Sequence, residues 1–110
     1  MKLKLDNTFH YAINKHHMNL YGYLGAIILN KLIFYHNYGI QTVEYEGCIC
    51  IKNAPRKIFT FLKDDFTTVE ISKSLMSLVD KGVLIAVIAP EQIDKSDMWH
   101  KLSDELDESI

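Results

Sequence analysis

The sequence predicts an α+β fold of three helices closed by a β-hairpin, and three observations carry that prediction. Residues 20–35 are apolar nearly all round and too long for a strand, the mark of a helix buried on most sides. Thr67-Thr68-Val69-Glu70 is a capping box that opens a helix with a regular apolar stripe. After Gly82, Val83 to Ile88 read as a strand, and Met98 to Leu102 can return beside it across the polar turn at residues 91–96.

Taken in order, residues 8–17 have the spacing of a short amphipathic helix through Phe9, Ala12 and Ile13. Asn19 is a suitable cap for the long apolar helix, and Asn37 and Gly39 supply its stop. Short β segments follow through Val43, Tyr45 and Cys48–Ile51, turning at Glu46-Gly47. A second helix starts with Asn53 as cap and Pro55 in its first turn, buries Ile58, Phe59 and Leu62, and ends near Asp64-Asp65. In the third helix Thr67 and Glu70 cap, Phe66 and Ile71 are spaced as a hydrophobic staple, and Ile71, Leu75, Leu78 and Val79 form the buried stripe. Lys81-Gly82 closes it. Trp99 or its neighbours in the last strand are expected to cover the core.

The chain has 110 residues, 48% of them hydrophobic and 24% charged, the balance of one soluble globular domain. That domain spans residues 1–103, and the acidic residues 104–110 are expected to fray. Leu20–Leu29 is too short to cross a bilayer, and its extension meets Asn30 and Lys31, so no membrane span is expected. Cys48 and Cys50 stand two apart on one face of a strand with no second pair to complete a zinc site. Free thiols without a secretory leader point to the cytoplasm.

Histidines 10, 16, 17, 36 and 100 lack the spacing of a metal site, since the adjacent pair His16-His17 points apart on a helix. There is no glycine-rich phosphate loop and no Ser/His/Asp or Cys/His pattern, so neither an enzyme nor a cofactor is expected.

Net charge is −2, but it is unevenly spread. Residues 1–63 carry eight basic side chains against Asp6, Glu44 and Glu46, a net of +5, whereas residues 91–110 net −5. A basic binding face with an acidic tail is the reading this suggests.

The order helix, short strands, helix, tight turn, capped helix, Lys-Gly, strand, polar turn, strand resembles the winged helix-turn-helix superfamily. Thr67 to Leu84 looks like its recognition helix and wing entry. More narrowly, Ala26-Ile27-Ile28-Leu29-Asn30-Lys31-Leu32-Ile33-Phe34-Tyr35-His36 and Met98-Trp99-His100-Lys101-Leu102 are similar to segments of the N-terminal winged-helix domains of phage and plasmid replication proteins and replisome organisers. That resemblance implies a small DNA-binding protein, a regulator or a replication accessory, whose third helix enters the major groove of double-stranded DNA. Thr67, Thr68, Ser72 and Lys73 would then meet bases or phosphates. Lys52, Arg56, Lys57 and Lys63 would hold the backbone, with Lys95 and Lys101 reaching from the wing. The same resemblance implies a homodimer through the N-terminal helix, for which Tyr21, Tyr35 and Tyr38 are candidate contacts.

A second reading is a protein-interaction module on the same frame, such as a mobile-element inhibitor of a host nucleic-acid-binding or defence complex. The single arginine, Glu70 in the recognition helix and the −5 tail motivate it.

Overall fold

A computed structural model describes Tyr11, residues 13–87, residues 98–104 and Leu106. Three helices pack on one face of a four-stranded antiparallel sheet. The elements are α1 (Lys15–Tyr38), β1 (Thr42–Tyr45), β2 (Cys48–Lys52), α2 (Ala54–Leu62), α3 (Thr68–Asp80), β3 (Leu84–Val87) and β4 (Trp99–Leu102). Strand order is β1-β2-β4-β3, so the returning strand β4 lies in the middle of the sheet. The hairpin expected after Gly82 is thereby joined to the body of the domain, with Ile51 opposite His100 on one side and Ala86 opposite His100 on the other. This arrangement is compatible with a winged helix.

The long helix starts earlier than its apolar run. Asn14, not Asn19, is the cap: its backbone is extended and its side-chain oxygen accepts from the His17 amide at 3.0 Å. Asn19 is instead an exposed residue within the helix. Of the amphipathic segment expected at residues 8–17, Lys15–His17 belong to α1 and Ile13 packs half-buried against the core, while Phe9 and Ala12 lie outside the described residues.

Gly22, at φ 83° and ψ 171°, breaks α1 into two helical pieces. That backbone region is open to glycine and strained for any other residue. Beyond the kink Gly25, Ala26, Ile27, Ile28 and Leu29 are buried in unbroken succession, which requires neighbours on every side of the helix. Gly25 marks the closest approach to α3, since a Cβ there would lie 3.7 Å from the Ser74 hydroxyl and 3.0 Å from the Cβ of Tyr21.

β1 and β2 form a hairpin whose loop, Glu46-Gly47, has both residues at positive φ, as a type I′ turn demands. Asn53 follows, but its side chain caps nothing. It sits in a left-handed conformation that swings the chain from β2 straight into α2, and its amide donates to the Met98 carbonyl at 3.0 Å. α2 ends at Leu62, before Asp64-Asp65, and the Leu62 carbonyl accepts from the amides of Asp65 and Phe66. Tyr11 lies edge-on to Phe61 and donates its hydroxyl hydrogen to Asp65, so the chain before α1 is tied to the turn between α2 and α3. Burial first, and that hydrogen bond second, push the Tyr11 phenol up to about 12.

The capping box of α3 is complete: the Glu70 amide donates to the Thr67 hydroxyl at 3.1 Å, and the Glu70 carboxylate accepts from the Thr67 amide at 2.8 Å. Those bonds hold the Glu70 carboxyl below the usual carboxylate range. At the other end the Gly82 amide reaches the Val79 carbonyl and the Val83 amide the Leu78 carbonyl, a Schellman closure. Ile71, Leu75 and Leu78 are buried as their spacing predicts, but Val79 is 39% exposed. One residue on from Leu78 turns about 100° around the helix, which carries Val79 off the stripe.

The main core unites Ile27, Ile28, Leu29 and Leu32 of α1, Ile58 and Leu62 of α2, and the α3 stripe with Ile51, Leu84 and Leu102 of the sheet. Trp99 does not cover this core. Strand alternation turns it to the opposite face, where it is buried with Cys50 against Val43, Tyr45 and Val87. Leu106 packs half-buried against the main core, while Glu105 and residues 107–110 of the acidic segment lie outside the described residues, as do Ile88–Asp97. Among the described residues no helix is long and apolar enough to cross a membrane.

Candidate nucleic-acid interface

The α3 helix is held from behind by its stripe, so its outer side is defined by rotation alone. At about 100° per residue, positions 69, 73, 76 and 80 fall opposite Ile71, Leu75 and Leu78. They are Val69, Lys73, Met76 and Asp80, all exposed, with Val69 at 62% and Met76 at 64%. The outward strip is therefore half apolar, with one cation and one anion. Off-stripe apolar residues at positions 69 and 76 were the signal for this in the sequence.

The expected α3 contacts are divided by the structure. Thr68 and Lys73 are exposed. Thr67 is exposed too, but its hydroxyl and its amide are engaged with Glu70. The Glu70 carboxylate thus takes up the Thr67 amide and adds a negative charge at the helix start, which opposes a phosphate there. Ser72 is half-buried and faces the sheet rather than the outward strip.

Around α2 the basic residues also separate. Arg56 and Lys63 are exposed on the side opposite the buried Ile58 and Leu62. Lys57 is half-buried with its ammonium 5.8 Å from the Tyr35 ring. Lys31 is held in the same manner, 4.3 Å from the centre of the Phe61 ring. Lys52 is half-buried at the end of β2. Lys101 lies on the outer sheet face, half-buried, with its ammonium 3.7 Å from the Cys48 sulfur. Lys95 lies outside the described residues. Of the basic residues the sequence suggested for this contact, Arg56, Lys63 and Lys73 are exposed among the described residues, a smaller set than expected.

Between α3 and the base of the hairpin there is a hollow of about 390 Å³. Phe59 of α2, Leu75, Met76 and Val79 of α3, Ala86 of β3 and Met98 line it, with His100 of β4. A second hollow of about 310 Å³ adjoins it through Pro55, Phe59 and Met98 and reaches Arg56 and Thr60. His100 alternates with Trp99 and Lys101 along β4 and so points toward the helices, 4% exposed. Its Nδ1 is buried without a hydrogen-bond partner. Burial lowers the imidazole from its ordinary range, partly offset by the Met98 backbone, so the ring is neutral near pH 7.

Of the tyrosines proposed for a subunit contact, Tyr38 is exposed, Tyr21 is half-buried and Tyr35 belongs to the core. The correction at Tyr35 follows from its sharing the inward face of α1 with Ile28 and Leu32, which leaves it 6% exposed in the main core. Phe34 takes its place outside, its ring 4.8 Å from that of Tyr38. Both cysteines are free, with Cys50 buried and its thiol pushed up by that burial. Among the described residues no three His, Cys, Asp or Glu side chains converge as a metal site would require. No protein-family model, curated protein or solved structure matches the chain.

Proposed function

We propose that this chain is a winged-helix DNA-binding protein of the phage or plasmid kind, a regulator or replication accessory, which lays α3 in the major groove of duplex DNA. The observation that carries the reading is the bare outward side of α3, with Val69, Lys73, Met76 and Asp80 exposed, while Thr68 at its start and Arg56 and Lys63 about α2 stand exposed as well. Lys73 suits a guanine edge or a phosphate, and Val69 and Met76 suit the methyl groups of thymine. Arg56 and Lys63 would hold the backbone, with Lys57 and Lys52 able to add to them only by leaving their present seats.

The test is fluorescence anisotropy with random-sequence duplex DNA at rising salt. Three phosphate contacts predict a slope of about −3 in log K against log salt, with binding strongest near 50 mM. Absence of binding at high micromolar protein and 50 mM salt overturns the reading.

The exposure of Val69 and Met76 favours a second reading, a surface for a host protein, because two large apolar side chains on an outward strip also suit a protein contact. A stoichiometric partner captured from host lysate, and lost on Val69→Asp, supports that reading where DNA binding is absent. DNA binding with no such partner excludes it.

A further inference from the structure

The hollow beside α3 has a feature that DNA binding does not use. Its walls are mostly apolar, with Ser72, Asp80 and His100 as their polar members, and its size of about 390 Å³ falls within the range of small-molecule sites. Buried polar atoms nearly always have partners, yet the Nδ1 of this 4%-exposed histidine has none. Each observation stands without the other, and they meet at one residue.

We infer that this hollow binds a small, largely apolar molecule carrying a single hydroxyl group, which hydrogen-bonds the imidazole of His100. The apolar walls select the body of the ligand, since Phe59, Leu75 and Val79 offer it contact and no charge. The hydroxyl follows from the histidine. A neutral imidazole nitrogen accepts or donates according to its tautomer, and a hydroxyl group answers either state. His100 lines the hollow while its Nδ1 is buried, and the broad χ2 torsion of histidine lets the ring turn to meet the hydroxyl. An anionic ligand is disfavoured by Asp80, which also lines the hollow, and the apolar walls give a neutral body most of its contact. Met76 and Met98 stand at the rim, 64% and 46% exposed, and as unbranched, adaptable side chains they can close over what enters. The site shares Met76 with the proposed groove contact, but its other walls and His100 do not depend on whether α3 reads DNA.

Met76 and Met98 also report on the site. With 13C-methyl-labelled methionine, 2-naphthol is titrated into the full chain and compared with naphthalene, which has the same body and no hydroxyl. The expected result is a saturable shift of the Met76 and Met98 methyl signals, with 2-naphthol binding about fivefold tighter, the factor one net hydrogen bond supplies. In His100→Phe the preference for 2-naphthol disappears or reverses. In Ala86→Leu, where the exposed Ala86 is enlarged into the hollow, both compounds lose affinity while the spectrum stays folded. The inference is overturned if neither methyl signal moves, if the native protein binds both compounds equally, or if Ala86→Leu binds as the native protein does.

Discussion

α1 and α3 lie against each other, yet they are held by different means. Beyond its kink, α1 has five consecutive residues buried, 25–29, and owes its place to contact on all sides. α3 has one stripe, Ile71, Leu75 and Leu78, and is secured at its ends by the Thr67–Glu70 box and the turn through Gly82. That stretch of α1 has no side left for a partner, although Leu20, Tyr23, Phe34 and Tyr38 toward its two ends are exposed. A helix fixed by a stripe and two caps can give its outer side to another molecule without cost to the fold. The contrast puts the burden of stability on the middle of α1 and leaves the outer side of α3 free for the contact proposed above.

The largest effect should therefore come from truncating α1. Leu29 is fully buried, and Leu29→Ala is expected to lower unfolding free energy by about 2–5 kcal/mol in urea titrations, through lost contact and the cavity left behind. Next in size is the kink. Gly22→Ala forces a Cβ onto a backbone region that is nearly glycine's alone, at a cost of about 1–3 kcal/mol. Nothing lies within 4 Å of the new methyl group, so a loss there reports backbone strain and not crowding. An unchanged stability would mean that α1 runs as one straight helix.

Smaller again is the cap of α3. Thr67→Ala removes the hydroxyl that receives the Glu70 amide and should cost about 1 kcal/mol. Glu70 gives this step a pH signature. Its carboxyl lies lower in the folded chain than in the unfolded one, so its contribution is present above the ordinary glutamate range and is lost as pH falls through the depressed folded value. The acid sensitivity of unfolding below about pH 4.5 should accordingly be weaker in Thr67→Ala. His100 acts at higher pH. Because the folded value lies below that of a free histidine, its stabilising preference for the neutral ring is complete above about pH 6.5 and declines on acidification. His100→Phe should flatten stability between pH 6.5 and 5.

The helix order, the capping box, the Glu46-Gly47 turn and the return strand were legible because each rests on residues close in sequence. Asn14 was passed over as a cap because the apolar run that drew attention starts six residues later, and the helix continues across a kink that only Gly22 signals. Asn53 matched the composition of a cap while the chain used its left-handed backbone instead. Val79 and Tyr35 were each misplaced by one step of rotation, which spacing alone resolves poorly at the edge of a stripe. The basic face was overestimated for a different reason. Charge is counted in the sequence, but the seating of Lys31 and Lys57 on aromatic rings, and of Lys101 by Cys48, depends on tertiary neighbours. The hollow at His100 needed α2 and α3 to be seated against the hairpin, and no local pattern contains that.

The smallest effect on stability should coincide with the largest effect on binding. Lys73 and Met76 are exposed on the outward strip, and substitutions at such positions usually change stability by less than about 0.5 kcal/mol. Lys73→Ala is expected to unfold with the native protein while lowering the salt slope of DNA binding by about 1, as one lost phosphate contact does. Met76→Ala carries no charge change, so it should leave that slope alone and weaken binding only where its side chain meets a base. A Lys73→Ala protein as unstable as Thr67→Ala would show that α3's outer side also holds the fold together. The division of labour between the two helices would then fail at the residue chosen to demonstrate it.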